Sequence, residues 1–297
     1  MSVMRRSGWA FFALLALLAT GCLDKNHFDT AVQMAQDVQT IDDYLAANNI
    51  TAIKDQSGVR FSLTTVGTGF PPRVSQTVKV KYTGKFLNGT VFDPGPDITG
   101  PLGSFILGWQ YGLAVWPTGS KGTLYIPSPL AYGNNPGSSA IPPNSILVFD
   151  AELVAIVPSN ADKARFTSDT TAITTYLKQN KITAVKDTTG ISYVITNPGT
   201  GPAPTWYQKL KFNYTGKSLA TGNQFFTGSS EPTNAFDSRM VDFINGITFG
   251  LGKIGTGGKI TVYVPSALAF GTTENPSINL AANSNVSYDI ELTEIVE

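Results

Sequence analysis

The chain of 297 residues contains one cysteine, Cys22, and one histidine, His27. A single cysteine excludes an intramolecular disulfide, so stability has to come from hydrophobic cores. The same scarcity leaves no Cys/His cluster for zinc, and His27 has no nucleophile motif to serve as a base. Neither a metal nor a cofactor is expected. Charge is sparse too: Asp, Glu, Lys and Arg make up 14% of the chain, against roughly 25% in an average globular protein. The two signs balance to a formal net charge of zero, and no run of like charge marks a tail. That removes the electrostatic case for nucleic acid. The apolar run at residues 9–19 has eleven members, far short of the roughly 20 needed to cross a bilayer. Gly255-Thr256-Gly257-Gly258 lacks the lysine-serine continuation of a phosphate loop.

What stands at the N-terminus is targeting sequence. Arg5 and Arg6 precede the apolar run, giving the charged start and hydrophobic centre of a signal peptide. Ala19-Thr20-Gly21-Cys22 follows and resembles a bacterial lipobox, with Ala19 where leucine is commoner. The resemblance implies that residues 1–21 are removed and that Cys22 becomes a lipidated first residue. The mature chain is then expected in the bacterial cell envelope, attached to a membrane through its lipid, at the outer membrane facing periplasm or surface. An ordinary secretory signal with a chance cysteine is the alternative. Loss of Arg5 and Arg6 leaves a net charge of −2.

The rest is one unit written twice. Ile50-Thr51-Ala52-Ile53-Lys54-Asp55 returns as Ile182-Thr183-Ala184-Val185-Lys186-Asp187, and Tyr82-Thr83-Gly84-Lys85 as Tyr214-Thr215-Gly216-Lys217, both at an offset of 132. The offset grows towards the end, where Asp150-Ala151-Glu152-Leu153 matches Asp289-Ile290-Glu291-Leu292. Insertions in the second copy explain the growth. The boundary falls near Pro158-Ser159-Asn160, dividing the mature chain into residues 22–158 and 159–297.

Each copy opens with an amphipathic helix. Met34, Val38, Ile41 and Leu45 keep helical spacing over about residues 28–48, and Phe166, Ile173 and Leu177 do so in the second copy. Thr167-Ser168-Asp169 supplies N-cap candidates for the second helix. Alternating or apolar stretches at residues 59–66, 77–87, 123–126 and 146–157 read as strands, with Asn88-Gly89 as a hairpin turn. Short strands with one brief internal helix predict an α+β fold, an antiparallel sheet wrapped around that helix, with the N-terminal helix added outside.

One stretch, residues 105–133, concentrates apolar and aromatic side chains around that brief helix. Gly108 and Gly112 bracket Trp109-Gln110-Tyr111, where a missing Cβ allows close backbone approach. An apolar, aromatic-floored pocket is expected there rather than a charged cleft.

Eight fragments of the first copy, in order, carry a family likeness. They are Val80-Lys81-Tyr82-Thr83-Gly84, Asn88-Gly89-Thr90-Val91-Phe92-Asp93, Pro101-Leu102-Gly103, Ile106-Leu107-Gly108-Trp109-Gln110-Tyr111-Gly112, Tyr125-Ile126-Pro127-Ser128, Leu130-Ala131-Tyr132-Gly133, Ile141-Pro142-Pro143-Asn144, and Leu147-Val148-Phe149-Asp150-Ala151-Glu152-Leu153. Together they resemble the FKBP-type peptidyl-prolyl cis–trans isomerases over about residues 58–157. The resemblance implies two FKBP-like domains and, in the first, a proline pocket. Trp109 is its implied floor, Tyr82, Phe92, Ile106 and Phe149 its walls, and Ile141 lies over the rim. Tyr132 is the implied hydroxyl donor to the carbonyl before proline, and Asp93 stands beside the twisting amide. Ile98 stands where the family more often has an aromatic, and the loop from Leu102 to Trp109 is short. Taken singly, Trp109 could be plain core, Asp93 a turn carboxylate before Pro94, and Tyr132 a loop tyrosine.

The second copy departs at the polar and floor positions. Trp109 becomes Ile247, Tyr132 becomes Phe270, and Asp93 aligns with Phe226 if Phe225 replaces Phe92; Phe236-Asp237 is a second Phe-Asp pair placed too late in the chain. The expected protein is an exported isomerase acting on proline-containing polypeptide clients, active in its first domain and largely inactive in its second. A non-catalytic peptide-binding chaperone or scaffold of the envelope is the alternative.

Overall fold

A computed structural model describes residues 29–135, 139–230 and 239–296. Cys22, His27, the segment 1–21 and Phe236-Asp237 lie outside the described residues. Asp29 opens the fold as an N-cap, its carboxylate accepting from the backbone N–H of Ala31 and Val32 at the start of helix α1 (Thr30–Ala47). The helix matches the span expected from its spacing. No described helix is long and apolar enough to cross a membrane.

The first copy continues through β1 (Ile53–Lys54), β2 (Arg60–Thr65), β3 (Thr77–Phe86), β4 (Val91–Asp93), β5 (Ile98–Pro101), helix α2 (Leu107–Leu113), β6 (Lys121–Ile126) and β7 (Leu147–Val157). The strands form one sheet in the order β1-β2-β6-β7-β3-β4, with β5 also paired to β3. Every pairing is antiparallel. The expected α+β architecture is what the chain adopts. Strand β5 was not legible in the sequence, because Gly100 and Pro101 break its pattern.

Alternation along β6 and β7 sorts the two faces of the sheet. Leu124, Ile126, Leu147 and Phe149 point to the concave side and build a core with Trp109, Leu113 and Trp116. Tyr125 and Val148 point the other way and are covered by Ile41 and Leu45 of α1. Helix α2 can lie close to the sheet because two of its residues lack a side chain. A Cβ on Gly108 would stand 2.2 Å from Cγ2 of Ile126, and one on Gly112 would stand 2.4 Å from Cδ2 of Leu124. Both neighbours are fully buried.

The second copy repeats the plan with α3 (Asn160–Gln179), β8 (Val185–Lys186), β9 (Ser192–Asn197), β10 (Lys209–Ser218), β11 (Gln224–Ser230), α4 (Asn245–Leu251), β12 (Lys259–Val264) and β13 (Val286–Val296). Its sheet order is β11-β10-β13-β12-β9-β8. Where β5 pairs with β3 in the first copy, the described residues here keep one bridge, Lys209 to Arg239.

Only Pro158 and Ser159 separate β7 from α3. The expected cap at Thr167-Ser168-Asp169 is corrected by the structure: Ser159 is the N-cap, in a reciprocal capping box with Asp162. Thr167 is an interior residue whose hydroxyl donates to the Lys163 carbonyl of the preceding turn at 3.0 Å, as Thr171 does to the Thr167 carbonyl at 2.8 Å.

The copies pack on each other through the loops before β3 and β10. Tyr207 lies against Phe61, 5.7 Å between ring centres, and donates its hydroxyl to the Val115 carbonyl at 2.9 Å. Phe70 meets Phe249, and Arg73 donates to the Ala269 carbonyl. Burial holds the Tyr207 phenol well above its ordinary pKa.

The close approach of α2 gives a stability prediction. Gly108→Ala gains helix propensity but forces a methyl group into Ile126, so the chain is expected to lose about 1–3 kcal/mol in urea unfolding. An unchanged or raised stability would mean that the helix does not lie on Ile126.

Candidate active site

The concave face of the first sheet and the short helix α2 together make an aromatic box. Trp109, 4% exposed, is its floor. Tyr82 on β3 meets the indole edge-on, with ring centres 5.0 Å apart and planes at 85°. Phe149 on β7 does so from the next strand at 5.3 Å and 88°, and Phe105 at 5.2 Å from the residue pair leading into the helix. Phe92 on β4 closes the same wall, edge-on to Phe149 at 5.8 Å. These edge-to-face contacts suit the ring quadrupoles and fix the rings against one another. Gly84 makes room for them, since a Cβ there would stand 2.7 Å from Phe92.

The remaining residues named from the sequence surround this box. Ile106 occupies the N-cap position of α2 and packs against the same core. Ile141 is buried in that core too, on the connection between β6 and β7. Tyr132 is different: it is 45% exposed, on the turn that follows β6. A phenol at such a place is free to reach a bound chain.

Asp93 serves two partners at once. One carboxylate oxygen accepts from the Gly95 N–H at 3.0 Å, the local turn role. The other accepts the Tyr82 hydroxyl at 2.7 Å, so the carboxylate also orients a wall residue. Gly95 is required for this turn. Its φ is +64°, and a Cβ would stand 2.0 Å from the Tyr82 carbonyl oxygen. Burial, then the hydrogen bond to Asp93, then the neighbouring charge of Asp93 and Tyr132 push the Tyr82 phenol up from 10.0 to about 12. It is therefore a neutral donor across the physiological range.

Sequence reasoning passed over Phe105, whose ring touches the floor, and Gly95. Phe105 directly precedes Ile106, and Gly95 follows the Asp93-Pro94 pair, so turn chemistry was the signal for the latter.

In the second copy the register keeps the wall phenol as Tyr214 but changes its partner. Gly216 pairs with Phe226 where Gly84 pairs with Asp93. Phe226 stacks on Tyr214 at 4.9 Å and 19°, where the first copy has a carboxylate–phenol hydrogen bond. Ile247 lies buried in the floor helix α4. Phe270 meets Phe225 edge-on at 6.0 Å, and Phe225 meets Tyr288 at 6.0 Å. Among the described residues the result is an apolar cup without the rim hydroxyl or the carboxylate. No group of acids, histidines or cysteines that could hold a metal occurs among the described residues.

The family model for FKBP-type peptidyl-prolyl cis-trans isomerases matches residues 70–154 and 201–293. Among curated proteins, the FKBP-type peptidyl-prolyl cis-trans isomerase FkpA of Aeromonas hydrophila is 42% identical over 127 residues, 41% of this chain and 47% of that protein. Outer membrane protein MIP of Legionella longbeachae is 36% identical over 104 residues, 34% of this chain and 45% of its own. The chain thus spans about half the length of the curated relatives it matches. A solved peptidyl-prolyl cis-trans isomerase from Pseudomonas syringae pv. tomato aligns at 30% identity and a TM-score of 0.38, covering 44% of this chain and 98% of that one.

The Tyr82–Asp93 pair gives a pH prediction. The folded pKa of Tyr82 is raised, so its contribution to stability is complete below pH 10.0 and is lost as pH rises towards about 12. Site-resolved tyrosine NMR should find Tyr82 titrating near the upper value. In Asp93→Asn it should titrate lower yet still above the ordinary value, because burial is the larger cause. A Tyr82 that titrates normally would mean that the phenol is not held in this box.

Proposed function

With both copies matched, the chain belongs to the FKBP-type peptidyl-prolyl cis-trans isomerase family, and on that premise we propose that it isomerises X-Pro bonds in its first copy. The observation that carries this reading is the aromatic box under an exposed phenol, with a carboxylate tied to its wall. The peptide bond resists rotation by about 18–20 kcal/mol because resonance holds it planar. X-Pro bonds therefore exchange over tens of seconds or longer, slowly enough to limit folding.

Catalysis needs no nucleophile here. The twisted amide has lost resonance, so its nitrogen is less positive and its carbonyl less charged than in the planar form. An apolar box around the proline ring disfavours the charge-separated planar amide relative to the twisted one. Trp109 receives the ring, and Tyr82, Phe92, Ile106, Ile141 and Phe149 confine it. Tyr132 donates to the carbonyl preceding proline and so holds that end in place while the bond turns, an orienting role. Asp93 fixes Tyr82 and stands beside the moving amide.

Among its described residues the second copy has an apolar cup without donor or carboxylate, which supports binding of an apolar client segment with little or no catalysis. The two units are residues 22–158 and 159–297, joined through the Ser159 cap. The lipobox-like segment before Cys22, together with the printed name of the Legionella relative, supports a lipid-anchored place in the envelope and clients among exported proteins. A peptide-binding chaperone without catalysis is the competing reading, favoured only by the cup of the second copy.

A protease-coupled assay with a proline tetrapeptide on the full chain tests the assignment. Tyr132→Phe is expected to lower kcat/KM by about tenfold or more, whereas Phe270→Ala leaves it unchanged. A chain that does not accelerate exchange refutes the enzyme, and loss of activity in Phe270→Ala would move catalysis to the second copy.

A further inference from the structure

Asp37 lies in the middle of α1, outside the family match that begins at residue 70. It is only 4% exposed, and a carboxylate so buried needs hydrogen bonds to both oxygens. One oxygen accepts from Nε2 of Gln33, a turn earlier, at 2.7 Å. The other crosses to the sheet and accepts the backbone N–H of Ser128 at 2.7 Å. Ser128 opens the 3-10 turn Ser128–Leu130, so this N–H is a helix-end donor with no partner inside its own turn.

The Ser128 carbonyl in turn accepts from Ala131 N and Gly133 N, each at 2.9 Å. Those are the residues on either side of Tyr132. On the far side Gly133, at φ +59°, accepts from Asn144 N at 2.8 Å. A continuous line of hydrogen bonds therefore runs from the Asp37 carboxylate, through the backbone of one residue, Ser128, to both flanks of the exposed phenol.

Docking of α1 has other supports besides this carboxylate. Ile41 and Leu45 are buried against Tyr125 and Val148. Arg60 grips both oxygens of Asp42, at 2.9 Å from Nε and 3.3 Å from its terminal nitrogen. The second copy supplies a comparison within the chain. Asp169 occupies the matching place in α3, yet it accepts the Ser266 hydroxyl at 2.6 Å. The Ser266 N–H goes instead to the side-chain oxygen of Asn285, at 2.9 Å. Where the turn carries Phe270 rather than a phenol, the helix carboxylate does not hold the turn's backbone N–H.

We propose that Asp37 is a positioning residue for Tyr132, and that the added helix α1 belongs to the catalytic apparatus through it. The proposal rests on the isomerase reading, with Tyr132 as donor. The carboxylate fixes the peptide at Ser128, and the turn hung on that peptide holds the Tyr132 hydroxyl where the twisting amide presents its carbonyl.

A double-mutant cycle on the full chain tests it, with isomerisation of a proline tetrapeptide as readout. In an otherwise unchanged chain, Asp37→Ala is expected to lower kcat by about tenfold with KM unchanged, the effect of a displaced donor. In a Tyr132→Phe background the same change should cost nothing further, because the group it positions is gone. Asp37→Asn keeps an oxygen acceptor for the Ser128 N–H and should recover most of the loss. Should Asp37→Ala not fold, Asp37→Asn carries the same comparison on a smaller scale. Equal losses in both backgrounds would overturn the positioning role and leave Asp37 as a stability residue. An inactive parent chain would instead overturn the isomerase reading, and this inference with it.

Discussion

The contact on which everything else depends is that of a seven-residue helix with the inner face of a sheet. Helix α2 is too short to be stable alone, so packing has to hold it. Gly108 and Gly112 bring its backbone down onto Ile126 and Leu124. That approach seats Trp109 between β3 and β7, where Tyr82 and Phe149 meet it edge-on. Remove the approach and the floor of the box rises out of its walls.

The second copy keeps the fit with different side chains at the floor and rim. Gly246 and Gly250 lie over Val264, Ile290 and Val262 as their counterparts lie over Ile126 and Leu124. Sheet order, 3-10 turns and outer helix are repeated. Besides the β5 pairing, of which the described residues keep one bridge, the differences at the site are side chains: Ile247, Phe270 and Phe226 for an indole, a phenol and a carboxylate. The fold and the site are thus separable within one chain. The copies also lean on each other, Tyr207 reaching Val115 just beyond α2 and Phe70 reaching Phe249 on α4.

Much of this was legible in the sequence because its signals were local. Helical spacing of Met34, Val38, Ile41 and Leu45 gave α1 to within about two residues. Period-two alternation and Asn88-Gly89 gave the long strands and their hairpin. Trp109, Tyr82 and Phe149 could be placed in one pocket through the ordered motifs that carry the family resemblance. Less local features were not visible. The cap of α3 was misplaced because threonines that back-bond within a helix look the same in sequence as threonines that cap one. Strand β5 holds a glycine and a proline and pairs only along one side. The bond from Asp37 to Ser128 spans 91 residues of chain, and nothing in the spacing of either residue announces it. The dual role of Asp93 was open for the same reason: a turn carboxylate and a wall-orienting one have the same sequence, and here both descriptions hold.

The central claim is that the first of the two cups binds and turns proline. It is tested most directly by NMR exchange spectroscopy on a proline-containing peptide, comparing the full chain with its Trp109→Ala variant. Catalysed cis–trans exchange in the parent chain, lost together with peptide binding in Trp109→Ala, is the result the account predicts. Exchange that persists undiminished in Trp109→Ala would contradict it.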